Sequence, residues 1–111
     1  MRVLLDHNVN PRFARLISGH EVIHAQRMGW EELLNGDLIS AAESEGVDMS
    51  VTVNKKLHYQ QSLQGRTLSI LVLNSRRITW PHIEPLAPQV KLALSNLVSG
   101  SFIVISPVVE L

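Results

Sequence analysis

Short apolar runs alternate along this chain with stretches of helical periodicity, and that alternation limits the fold more than any other feature. The strand candidates are residues 3–5, 21–25, 49–53, 67–73 and 102–105, of which 49–53 is β-branched and 67–73 strongly apolar. A strand that must be covered on both faces reads as a continuous apolar run rather than an alternating one. Strands separated by helices pair in parallel, with the helices packed on the sheet faces. The expected fold is therefore α/β: a three-layer α/β/α sandwich around a mainly parallel, five-stranded sheet. A length of 111 residues, with no repeat, linker or low-complexity segment, implies a single domain over residues 1–111. A chain of this size buries about two-thirds of the surface exposed when unfolded, which suffices for a core without staples.

The helical segments carry their own punctuation. Pro11 can open a helix at its first turn, with Asn10 as cap and Phe13, Leu16 and Ile17 as its apolar stripe, and Gly19 ends it. Residues 27–34 read as loop or irregular helix, and Asn35-Gly36 as a turn. A helix is expected over 37–45, with Leu38, Ala41 and Ala42 on one face and Gly46 as its stop. Residues 57–63 suggest a helical turn or two, broken at Gly65. The longest helix is expected over 81–98, where Ile83, Leu86, Val90, Leu94 and Leu97 recur at helical spacing, although Pro85 and Pro88 complicate its start.

Composition excludes several function classes. There is no cysteine, hence no disulfide, no thiolate nucleophile and no cysteine-ligated zinc. Ten Lys+Arg balance ten Asp+Glu, which argues against a protein that coats DNA through overall charge but leaves room for a local nucleic-acid site. No apolar run reaches the ~20 residues of a membrane span, and Met1 is not followed by a basic and then apolar leader. A cytoplasmic protein without membrane contact is the expectation.

Strand ends hold the candidate chemistry. Asp6-His7-Asn8 follows the first strand, Asn35-Gly36-Asp37 opens a helix, and Asn54-Lys55-Lys56 follows the third strand. In a parallel sheet these clusters belong to one carboxyl edge, where ligands bind in α/β folds. Carboxylates converging there suit Mg²⁺ or Mn²⁺, which prefer oxygen ligands, activate water and offset charge on a phosphate. The combination suggests metal-assisted phosphodiester cleavage. Each residue also has a plainer reading. An aspartate after a strand is often a turn former or cap, and Asp37 is favourable at a helix N-terminus through the dipole alone. Lys55 and Lys56 suit solvent, and Arg76-Arg77 is a short basic pair able to meet a phosphate.

The remaining polar residues make no recognised motif. His20 and His24 straddle the start of a strand and need not share a face, whereas His7 stands beside Asp6. Ser18, Ser40 and Ser69 lack a nucleophile-elbow context, and no Gly-rich phosphate loop is present. Trp30 and Trp80 suit the core margin better than base stacking. Tyr59, next to Gln60 and Gln61, is a packing residue or a substrate contact.

Three stretches together resemble a known family. They are MRVLLDHNVNPRFARLISGHEV, MGWEELLNGDLISAAESEGVD and VTVNKKLHYQQSLQGRTLSILVL. They resemble the small PIN-like proteins of the DUF5615 type, which open with a strand and Leu-Leu-Asp-Glu-Asn-Leu-Pro, continue through Gly-His-Asp/Glu-Val, and later carry Thr-Thr-Asp-Lys/Arg-Asn-Leu and Tyr-Gln-Gln-Asn. The likeness runs from Met1 to about Trp80 and more loosely beyond. It implies a PIN-like fold and a Mg²⁺- or Mn²⁺-dependent ribonuclease, often the toxin half of a toxin–antitoxin pair. By position, Asp6 and Asp37 would be the metal-binding carboxylates and Asn54 would complete the catalytic set. Asn8, Lys55, Tyr59 and Gln60 would border the substrate.

The chain departs from that pattern at two places. Asn54 stands where the family has an aspartate, and His7 where it often has glutamate. An asparagine offers a neutral carbonyl and an amide donor, so the site loses charge. Two further readings follow. One is a catalytically weakened PIN-like module that binds RNA or a protein partner. The other is a receiver-type phosphoacceptor domain, which needs an aspartate after strand three and meets Asn54 instead. The apolar end from Phe102 onward suggests a homodimer or antitoxin contact, or an ordinary sheet edge.

Overall fold

The computed structural model describes residues 1–33, 35–54, 63 and 65–107. Among them, β1 (Arg2–Leu5), β2 (Glu21–His24), β3 (Met49–Thr52), β4 (Ser69–Leu73) and β5 (Phe102–Ile105) form one sheet in the order β2-β1-β3-β4-β5. Every pairing is parallel, with Val3 opposite both Val22 and Met49, Met49 opposite Ser69, and Ile70 opposite Phe102. The expected α/β class and parallel five-stranded sheet are therefore present. The turns expected over 57–62 and the end of the tail, 108–111, lie outside the described residues.

Alternate residues of the central strands feed two cores. Val3, Leu5, Met49, Val51, Leu71 and Leu73 face one way, onto Phe13, Ile17, Ile83, Leu86, Val90 and Leu94. Leu4, Ile70 and Val72 face the other way, onto Ile39, Ala42, Val47 and Leu68. This period of two is what a pleated strand dictates. The central strands β3 and β4 are buried throughout, the polar Ser50, Thr52 and Ser69 included. Fully burying one such aliphatic side chain contributes ~1.5–3 kcal/mol before entropic costs.

Four helical pieces cover the first face. A 3-10 helix (Pro11–Leu16) follows β1, and Asn10 caps it by accepting from the Arg12 N–H at 3.0 Å. The expected helix at 81–98 is not continuous: α2 (Trp80–Ile83), a 3-10 turn (Glu84–Leu86) and α3 (Ala87–Ser95) replace it. Pro85 has no N–H to donate to the preceding turn, and its ring crowds the carbonyl four residues back, so the α geometry stops there. Pro88 falls in the first turn of α3, where its missing donor costs nothing.

On the second face, α1 is Asn35–Ser44, two residues longer at its start than the sequence suggests. Its end follows from Gly46, at φ 72°. The Val47 N–H reaches the Ala42 carbonyl at 3.0 Å and the Gly46 N–H the Glu43 carbonyl at 3.0 Å, a Schellman stop. Glu43 then ties α1 to the approach of β4. It receives Arg66 at 2.8 Å, the Thr67 N–H at 2.8 Å and the Thr67 hydroxyl at 3.0 Å. Arg66 foremost, then the Thr67 N–H, holds the Glu43 carboxyl well below its usual range, at about 2. No helix among the described residues is long and apolar enough to cross a membrane.

Candidate functional site

The strand order reverses direction between β1 and β3. The connection leaving β1 runs to β2 on one side, while the sheet continues through β4 and β5 on the other. β2 and β4 therefore flank the β1–β3 pair on opposite sides, which makes the boundary between β1 and β3 the topological switch point of the sheet. Open α/β sheets bind ligands at such a switch point. Asp6 stands at the end of β1 and Thr52 closes β3.

Asp6 is only 6% exposed. Its N–H donates to the Val51 carbonyl at 2.9 Å, so the β1–β3 ladder runs up to the residue itself. One carboxylate oxygen, Oδ2, accepts the Thr52 hydroxyl at 2.8 Å. The other, Oδ1, accepts the His7 N–H at 2.8 Å and the His7 ring Nδ1 at 3.1 Å. A buried carboxylate without such donors would be strongly unfavourable. Thr52 Oγ1 in turn accepts the Asn54 N–H at 3.0 Å. A relay thus runs from Asn54 through Thr52 and Asp6 to His7, across the ends of two neighbouring strands.

The loop that carries this relay is held at its base. The Val9 N–H donates to the Asp6 carbonyl at 2.9 Å, and Val9 is buried in the first core. His24 Nε2 donates to the Val9 carbonyl at 2.7 Å, while its Nδ1 accepts the Gln26 N–H at 3.2 Å. These two bonds assign the ring proton to Nε2. His24 is thus a buried pin from the end of β2 into the Asp6 loop. Between these anchors His7 and Asn8 are exposed, with the His7 side chain 39% accessible. Because Nδ1 of His7 faces Asp6, its Nε2 is turned away from the carboxylate.

The three sequence clusters are only partly united. Asp6 and Asn54 share the Thr52 hydroxyl. Asp37 lies in the first turn of α1 and is exposed. Its neighbours Leu38 and Ile39 line a small cavity of ≈10 Å³ with Asp6, Ser50 and Thr52, so the start of α1 sits over the Asp6 carboxylate. Among the described residues no three His, Asp or Glu side chains gather as a metal cage. Lys55, Tyr59 and Gln60 lie outside the described residues.

Thr52 and His24 are the site residues that sequence reasoning passed over. Thr52 read as one β-branched residue of a strand, and His24 as half of a dismissed pair. The available signal for Thr52 is a hydroxyl at the last position of the strand beside the one ending in Asp6. Nothing local marks His24, whose partner is fifteen residues away in sequence.

No family model, curated protein or solved structure matches this chain.

Proposed function

We propose that this chain is a PIN-like, divalent-cation-dependent ribonuclease whose centre is Asp6 at the β1–β3 switch point. The observation that carries the reading is the relay itself: a buried carboxylate, oriented by Thr52 and His7, at the switch point of a parallel sheet. The resemblance described above supports RNA as the substrate, and the toxin of a toxin–antitoxin pair in the cytoplasm as its setting. The partner is then an antitoxin protein or a second copy of the chain.

The donor set suits a sparse metal site rather than a cage. An ionised carboxylate has roughly four acceptor positions. Among the described residues three are in use on Asp6, which leaves one for a further contact. Mg²⁺ keeps several waters and is commonly held by one or two carboxylates together with substrate phosphates. Asp6 and Asp37 would hold the ion, with Asn54 as a neutral oxygen donor. Such an ion supplies an activated water and offsets charge on the scissile phosphate. The chain's own residues do the rest: Thr52 fixes the rotamer of Asp6, His24 and Val9 fix its loop, and exposed Asn8 offers an amide to the incoming strand. Lys55, Tyr59 and Gln60 complete the proposed substrate contacts.

A second reading rests on Asn54 and on the hydrogen bonds already made by Asp6. With one carboxylate fewer, the chain is a weakened PIN-like module that holds RNA or a protein without efficient cleavage. Purified protein incubated with varied single-stranded RNAs in Mn²⁺ separates the two. Cleavage that disappears in Asp6→Ala supports the ribonuclease, and no cleavage of any substrate contradicts it.

A further inference from the structure

A second cleft opens on the same carboxyl edge, beyond β4 and β5. Ser75, Arg76, Arg77, His82 and Pro107 line an open volume of ≈490 Å³. Both arginines are exposed, and among the described residues neither takes part in an ion pair. The His82 ring is held by its Nδ1 contact with the Thr79 hydroxyl at 2.9 Å. The rim is well anchored: the Asn74 N–H donates to the Ile105 carbonyl at 2.7 Å and its side chain reaches Ser106 at 3.1 Å. Three cationic or donor side chains on a fixed rim, with no acidic side chain among the described residues that line the cleft, suit a phosphate group.

The neighbouring groove differs in chemistry. It shares Ser75, His82 and Pro107 with the basic cleft but continues over Pro81, Pro85 and Leu86 to Gln89, with ≈310 Å³ of space. An anion-binding cleft that continues into an apolar groove matches the two halves of a nucleotide. Its phosphate would meet Arg76, Arg77 and His82, and its base would lie against the prolines.

One contact links the element after the arginine loop to the element after the Asp6 loop. The Arg12 guanidinium, in the 3-10 helix after the Asp6 loop, lies 4.8 Å from the centre of the Trp80 ring. Trp80 begins α2, directly after the arginine loop. β1 and β4 are separated by β3 alone, so their ends are ~10 Å apart at the usual strand spacing.

We propose that this cleft is a nucleotide-binding subsite for single-stranded RNA, gripping a flanking phosphate with Arg76, Arg77 and His82 and a base in the proline-lined groove. It rests on the ribonuclease reading only for its choice of RNA, and it needs neither metal nor cleavage.

The test measures fluorescence anisotropy of a labelled 12-nucleotide RNA in EDTA, so that binding is read without catalysis. Arg76→Ala/Arg77→Ala should weaken binding at least tenfold. For single strands the slope of log K against log salt is about −0.7 per phosphate contact, so two lost contacts should flatten it by about 1.4. Lys91→Ala, on α3 outside the cleft, should bind as wild type. Inorganic polyphosphate should compete at least tenfold less well per phosphate than unlabelled RNA. Wild-type affinity and slope in the double variant would overturn the subsite, as would equal competition by polyphosphate or no RNA binding by wild type. Binding that survives in Asp6→Asn while cleavage is lost separates this subsite from the catalytic reading. Binding with no cleavage by any form would remove the catalytic reading alone.

Discussion

The Thr52 hydroxyl donates to Asp6 Oδ2 at 2.8 Å, a side-chain bond that reinforces the Asp6–Val51 backbone bond between the carboxyl ends of β1 and β3. It gives the buried carboxylate a fixed orientation at the switch point of the sheet. It also makes Asp6 a structural element as well as a candidate ligand, so variants at the site must be read for folding and for function.

Thr52→Val should separate these roles. Valine keeps the β-branched shape but leaves Asp6 Oδ2 without its donor. A buried acceptor left unsatisfied costs ~1–3 kcal/mol. Urea unfolding should show a loss in that range, largely restored in Thr52→Ser. A Thr52→Val protein as stable as wild type would mean that the bond contributes nothing.

Glu43 should govern part of the acid response. Its carboxyl lies at about 2 when folded, under the influence of Arg66 and Thr67, against an ordinary 4.5. The stabilisation is therefore complete above pH ~4.5 and is lost as pH falls through about 2. With solvent screening of a partly accessible pair, ~1–2 kcal/mol is a fair magnitude. Thermal unfolding between pH 5 and pH 2 should fall less steeply in Glu43→Gln than in wild type. Parallel curves for the two proteins would contradict this.

Gly100→Ala should destabilise the connection into β5. Gly100 has φ 74°, and an added Cβ would stand 2.8 Å from the Arg66 carbonyl oxygen. Left-handed backbone strain alone costs ~1–3 kcal/mol for a non-glycine residue. The melting temperature should drop, whereas Gly29→Ala meets no atom within 4 Å and carries only the strain of its own φ of 73°.

Asn54→Asp should restore charge at the switch point. If the ribonuclease reading holds, Mn²⁺ affinity and RNA cleavage should both rise by about tenfold, the scale of one added carboxylate at a hard cation. No change in either would show that the native site owes nothing to the identity of residue 54.

Much of this architecture was readable from local pattern. The apolar and β-branched runs located the five strands, because parallel strands covered on both faces are mostly apolar, although Ser50, Thr52 and Ser69 are buried among them. Gly46 marked the end of α1, because only glycine takes a positive φ cheaply. Asp6 was visible as a carboxylate on a strand end. What stayed hidden was tertiary. The bonds from Thr52 to Asp6 and from His24 to Val9 join residues far apart in sequence. The pairing of Arg76 and Arg77 with His82 and Pro107 depends on β4 and β5 lying side by side. The break within 80–95 is half visible in sequence: Pro85 and Pro88 mark it, but the apolar helical spacing runs on past them.

The account stands or falls on Asp6 as the centre of a divalent-cation site. The most direct measurement is a Mn²⁺ titration by electron paramagnetic resonance of wild type and Asp6→Asn, with circular dichroism to show that both are folded. The account predicts one weakly bound Mn²⁺ per wild-type chain, tightened by single-stranded RNA, and none in folded Asp6→Asn. Equal Mn²⁺ uptake by the two proteins, or none by wild type with RNA present, would contradict it.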